Sequence, residues 1–116
     1  MAAESYWNTA VETMPVEELR KLQFTKLKYQ IERAYLFSPL IRNLWDDAGV
    51  KPEDIRSLED YTSRVPTFDK ETVRQYREQS GDPFGGMACI PPGQRYWINS
   101  SSGTTGAPTF LPLTDR

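Results

Sequence analysis

Two short runs with strand chemistry enclose a loop built from small hydroxyl residues and glycine, and this arrangement limits the fold more than any other stretch. Tyr96, Trp97 and Ile98 form the first run, and Phe110, Leu111 and Leu113 the second. Aromatic and branched apolar residues of this kind favour an extended chain. Between them, Gly103 and Gly106 permit positive φ and close backbone approach, so successive N–H groups can turn inward as an anion-binding nest. Ser101, Ser102, Thr104 and Thr105 add hydroxyl donors to the same concavity. Such a cradle suits phosphate oxygens. It is not a Walker A loop, which needs Gly-Lys-Ser/Thr opening a helix, because Ala107-Pro108 follows Gly106 and leads into the second strand. An ordinary flexible surface loop or linker has the same composition. The residues alone leave both readings open.

Upstream, the spacing predicts helices. Residues 4–13 form a short one with Tyr6, Trp7, Val11 and Met14 as its apolar face, interrupted at Met14-Pro15. From Val16 to about Phe37, apolar residues recur at three- and four-residue steps (Val16, Leu19, Leu27, Ile31, Ala34), with Glu18, Lys21, Lys28 and Glu32 opposite. Ser38 caps a following helix with Pro39 at its first position, and Gly49 supplies the left-handed stop. Residues 52–55 make one turn, Ser57 with Asp60 opens a brief helix, and Asp69 caps a polar helix over Lys70–Gln79 with Val73 and Tyr76 on its buried side. Residues 80–86 and 91–93 read as loops. The expected architecture is therefore α+β: a helix-rich region over 1–79, then a loop and β-hairpin over 80–116.

Composition narrows the chemistry. The 116 residues suffice for one small domain, with 38% apolar and 26% charged residues, neither membrane-like nor disordered. Fourteen basic residues against sixteen acidic give no nucleic-acid or membrane-surface signature. No run approaches a membrane span, and no basic-then-apolar leader opens the chain; the single cysteine, Cys89, which can form no internal disulfide, makes a cytoplasmic location the expectation. The absence of histidine excludes His triads, His metal ligands and an imidazole acid–base within this chain. Cys89 is the sole cysteine, which rules out an internal disulfide; a small half-buried apolar role outweighs a nucleophilic one. The acid pairs Asp46-Asp47 and Glu59-Asp60 read as solvated helix surface rather than metal sites. No catalytic residue is nominated, and no metal ligand is assigned.

The order Ser101-Ser102-Gly103-Thr104-Thr105-Gly106-Ala107-Pro108-Thr109 resembles the phosphate-loop signature of adenylate-forming enzymes, in particular the phenylacetate–coenzyme A ligase branch. Ser38-Pro39-Leu40-Ile41-Arg42, residues 48–55, Ser57-Leu58-Glu59-Asp60 and residues 65–71 look like the N-terminal part of the same enzymes, in the same order. The resemblance implies a fragment of the large N-terminal domain of an ATP-dependent aryl-acid ligase. ATP, Mg²⁺ and coenzyme A are then the cofactors and co-substrates, and the partners are ATP, an aryl carboxylic acid and CoA. It implies that Ser101 to Gly106, with Pro108 and Thr109, wrap the β- and γ-phosphates of ATP. Thr104 and Thr105 supply the foremost hydroxyls, and Pro108 stiffens the exit. Where relatives often carry lysine, beside the motif's proline, this chain has Ala107 and Thr109, so amides, hydroxyls and Mg²⁺ are left to hold phosphate. The aryl-acid pocket, the adenine contacts and the catalytic lysine of such enzymes are not among these residues, so the chain alone is expected to be inactive. The alternative is an interaction module in which the helix over 16–37 pairs two protomers as a homodimer and the loop is inert; a third is a freestanding nucleotide-binding domain.

Overall fold

The computed structural model describes residues 5–91, 93–94, 96–103 and 106–114. Their elements run in the order α1 (Thr9–Glu12), α2 (Val16–Phe37), α3 (Pro39–Asp47), a 3-10 turn (Pro52–Asp54), α4 (Leu58–Arg64), α5 (Lys70–Ser80), β1 (Trp97–Ser100) and β2 (Phe110–Leu113). Helices thus dominate, and the strands form a two-stranded antiparallel sheet, as the α+β expectation requires.

The core lies where α2 crosses α3. Ile31 of α2 meets Trp45 of α3, and the chain leaving α3 closes the cluster with Val50 and Ile55. Ile55 has no exposed surface, and burying a side chain of this size contributes about 1.5–3 kcal/mol. The polar stripe assigned to α2 needs one correction. Lys28 is half-buried and donates to the Pro52 carbonyl at 3.1 Å. It ties the 3-10 turn to α2 while its charge faces Glu32 at 3.7 Å. A lysine stem can cover apolar surface in this way and still keep its ammonium satisfied.

The N-terminal helix also departs from expectation. Residue 4 lies outside the described residues; among the described ones of that stretch only Thr9–Glu12 is helical, because Asn8 takes the cap: its side chain accepts from Val11 N at 3.2 Å, and Glu12 accepts from Asn8 N at 2.6 Å. A cap residue has extended backbone, so Tyr6 and Trp7 cannot join the helix. Trp7 is fully exposed, Tyr6 and Val11 are exposed, and no apolar face is buried there.

The other caps fall as expected. Ser38 accepts from Ile41 N at 3.3 Å, Ser57 from Asp60 N at 3.0 Å and Asp69 from Thr72 N at 2.9 Å. Gly49 has φ 68°, and Gly81, with φ 75°, ends α5. The loop after α5 is a clamp rather than a spacer. Asp82 accepts from the amides of Phe84 at 2.9 Å and Gly86 at 3.0 Å. The Gly86 carbonyl then receives the buried Ser38 hydroxyl at 2.6 Å and Leu40 N at 3.1 Å. A Cβ on Gly85 would lie 2.4 Å from Val73 Cγ1 and 2.7 Å from the Val73 carbonyl oxygen. Glycine alone allows this backbone to press against α5.

In the hairpin, Trp97 pairs with Leu113, Ile98 with Pro112, Asn99 with Leu111 and Ser100 with Phe110. All four residues of β1 are exposed. Phe84 meets Tyr96 edge-on, with ring centroids 5.8 Å apart.

Candidate functional site

The loop between β1 and β2 is closed at its base by two hydrogen bonds. Ser101 N donates to the Thr109 carbonyl at 3.0 Å, and Thr109 N donates to Ser101 Oγ at 2.9 Å. Ser101 therefore continues the strand ladder by one step, and its hydroxyl oxygen is used as a backbone acceptor. Within the loop, Gly106 N donates to the Gly103 carbonyl at 3.3 Å. Gly103 has φ 69°, and a Cβ there would lie 2.9 Å from the Gly106 carbonyl oxygen; both facts demand glycine. Gly106 has φ 150°. Ser102 is exposed. Thr104 and Thr105, the hydroxyls singled out from the sequence, lie outside the described residues.

These bonds revise the simple picture of a nest. The amides of Ser101, Gly106 and Thr109 are spent inside the loop. Those of Ser102, Gly103 and Ala107 take no carbonyl partner among the described residues.

Helix α5 backs the loop, which sequence reasoning missed. Arg77 Nη1 donates to the Pro108 carbonyl at 2.8 Å, fixing the loop's exit. One turn earlier, Lys70, Glu71 and Arg74 face Gly106, Ala107 and Thr109 across a cleft of about 200 Å³. Lys70, Arg74 and Arg77 are spaced i, i+4 and i+7, so they share a helix face. That periodicity was legible, but a polar helix reads first as a solvated one. The guanidinium of Arg74 bonds Glu71 through Nη2, at 2.7 and 2.8 Å to its two carboxylate oxygens. This bond holds the Glu71 carboxyl below its ordinary range, helped by Gln75, and raises Arg74. Asp69 is likewise lowered, first by the Thr72 amide and then by its hydroxyl.

Elsewhere the residues fit structural roles. Asp46 accepts the Tyr35 hydroxyl and faces Arg42 at 3.9 Å. Asp60 accepts from Arg56 N at 3.0 Å and faces Arg64 at 3.9 Å. Burial pushes the Cys89 thiol up against a smaller opposing effect of Arg33, which disfavours the thiolate a nucleophile requires. Among the described residues no group of three or more His, Cys, Asp or Glu gathers as a metal site. Glu71 is the one carboxylate lining the cleft beside Gly106. The residues described do not build a protein-held Mg²⁺ site. No helix among them is long and apolar enough to cross a membrane.

No family model matches the sequence. Relatives do. The chain is 39% identical over 104 residues to phenylacetate–coenzyme A ligase of Thermus thermophilus, covering 90% of this chain and 22% of that protein. It is 38% identical over 106 residues to phenylacetate–coenzyme A ligase of Escherichia coli, covering 91% and 23%. Among solved structures, 2-hydroxyisobutyryl-CoA ligase in complex with 2-HIB-AMP and CoA superposes with a TM-score of 0.83 at 34% identity, over 98% of this chain and 24% of that one. An open conformation of that ligase gives 0.82 at 31% identity, over 98% and 26%. The chain thus spans about a quarter of the length of the proteins it matches. Along that length it is similar in sequence to phenylacetate–coenzyme A ligases and in structure to an acyl-CoA ligase.

Proposed function

We propose that this chain is the N-terminal part of an ATP-dependent, AMP-forming acid–CoA ligase, with a phenylacetate-type aryl acid as substrate, and that it contributes the loop holding the β- and γ-phosphates of ATP. The observation that carries this is the sequence match to phenylacetate–coenzyme A ligases across nine-tenths of the chain. The loop's residue order and the glycine-dependent geometry at Gly103 support it.

The reaction has two transfers. A carboxylate oxygen attacks the α-phosphorus of ATP, and pyrophosphate leaves with the bonding electron pair. The thiolate of CoA then attacks the acyl carbonyl, and AMP leaves. In the first step negative charge grows on the departing pyrophosphate, so the protein's contribution is to position and electrostatically support it. The free amides of Ser102, Gly103 and Ala107 and the hydroxyls of Ser102, Thr104 and Thr105 are the donors for this work. The Ser101–Thr109 base and the Arg77–Pro108 bond keep the loop's two ends in register, which limits the ordering cost of binding. Magnesium arrives with the nucleotide as Mg-ATP.

Grafting provides the test. A phenylacetate–coenzyme A ligase whose matching segment is replaced by this chain should release pyrophosphate in a phenylacetate-dependent manner, and Gly103→Val in the graft should lower that release at least a hundredfold. A soluble, folded graft that is inactive, or one indifferent to Gly103→Val, would contradict the assignment.

One observation favours a second role, pairing of protomers through α2. Tyr29 and Leu36, seven residues apart on one face, are both more than 60% exposed. Leu27 and Ile31 face the core instead, so disrupting them would unfold the chain rather than separate a dimer. A concentration-dependent mass in sedimentation that Leu36→Asp abolishes would establish the pairing, and a monomer at all concentrations would dismiss it.

A further inference from the structure

We infer that Arg74 and Lys70 of α5 are phosphate-binding residues, supplying from outside the loop the cationic contacts that the loop itself lacks. This rests on the phosphate-loop assignment above and extends it to residues on a different element. The segment 99–109 contains no lysine or arginine. Beside the magnesium that arrives with ATP, the segment itself offers a triphosphate only neutral amides and hydroxyls, and ionic hydrogen bonds are roughly twice as strong as neutral ones.

The structure places two cations against that segment. Arg74 and Lys70 line the cleft whose opposite wall is Gly106, Ala107 and Thr109. Nη1 of Arg74 lies 3.7 Å from where a Cβ on Gly106 would stand, so the guanidinium reaches the loop backbone without a side chain between them. Only Nη2 is engaged by Glu71. Nε is buried and bonds to no described residue. A buried, unpaired guanidinium N–H is uncommon in a folded protein and calls for a partner. Glu71 does not cancel the site: its carboxylate holds the guanidinium in place through one nitrogen, and the cleft keeps a net positive charge from Lys70 and Arg74 against Glu71. Arginine's planar fork suits this arrangement, since one edge can be anchored while another meets phosphate oxygens. Glycine at 106 leaves space where the anion and the guanidinium approach each other.

Calorimetric titration of the chain with tripolyphosphate and with Mg-ATP tests this, with circular dichroism confirming that each variant is folded. Arg74→Gln should weaken both ligands about tenfold, and Lys70→Gln, being exposed, about threefold. Arg56→Gln, a control in the link before α4, should leave both unchanged. Adding Ala107→Lys to Arg74→Gln should return affinity to within about threefold of the parent, because position 107 lines the same cleft. A structural role for Arg74 would not be relieved by a new charge on the opposite wall, so failure of this rescue would overturn the inference. Parent binding abolished by Gly103→Val but unaltered by Arg74→Gln and Lys70→Gln would overturn it while leaving the phosphate loop intact. A folded parent that binds neither ligand would remove the loop assignment and this inference together.

Discussion

Ser38 and Gly85 show two kinds of residue constraint, one local and one through space. The Ser38 hydroxyl is buried, caps α3 and donates to Gly86 O. Ser38→Ala should cost about 1–2 kcal/mol in urea unfolding, by losing a cap and leaving a carbonyl under-satisfied. Gly85→Ala should cost about 3 kcal/mol, because φ is 62° and the new methyl would drive into Val73. Asp69 provides a pH signature. Its carboxyl is held below its ordinary value chiefly by the Thr72 amide and hydroxyl, so its stabilisation is present above about pH 4 and is lost as pH falls through the lower folded value. Asp69→Asn keeps the cap without titrating, so the parent's advantage, followed by unfolding at several pH values, should shrink below about pH 4. The caps at Ser38, Ser57 and Asp69 were legible because a cap bonds only two or three residues along. Gly85, Gly86 and the approach of Arg74 to Gly106 were not, because their partners sit on elements whose docking no local pattern specifies.

At the scale of elements, α2 was legible end to end from its three- and four-residue apolar steps, and α3 and α4 from their caps. The short α1 departs from the apolar spacing of Tyr6, Trp7 and Val11 because the Asn8 cap, not the spacing, sets where the helix begins. Lys28 was misplaced for the converse reason: the 3-10 turn at Pro52–Asp54 packs beside it and recruits its ammonium. The seam between α2 and α3 carries the stability. Ile55→Ala should lower unfolding free energy by about 3 kcal/mol, since the site is fully enclosed and cannot collapse freely. The hairpin is held more lightly: none of its strand residues is fully buried. Amides of β1 and β2 should exchange with solvent well before those of α2 and α3, as hydrogen-exchange mass spectrometry would reveal; equal protection would mean the hairpin is covered in solution.

The whole molecule is extended. Its radius of gyration is 17.6 Å, with extents of 58 × 33 × 32 Å, against about 13 Å for a compact chain of this length. Trp97, Leu111 and Leu113 lie exposed on one face of the hairpin and Ile98 on the other, apolar surface that isolated small domains rarely leave uncovered. Both features accord with a chain that spans about a quarter of the ligases it matches. The strand–loop–strand order and the loop's glycines could be read from sequence, and so could the likeness to these ligases. The placement of Lys70, Arg74 and Arg77 beside the loop could not, because they reach it only after α5 has docked. Titrating the folded 116-residue chain with Mg-ATP, beside Gly103→Val, examines the phosphate loop most directly. Saturable heat in the parent that disappears in a folded variant is the predicted result. A folded parent that gives no heat, or a variant that binds as the parent does, would contradict it.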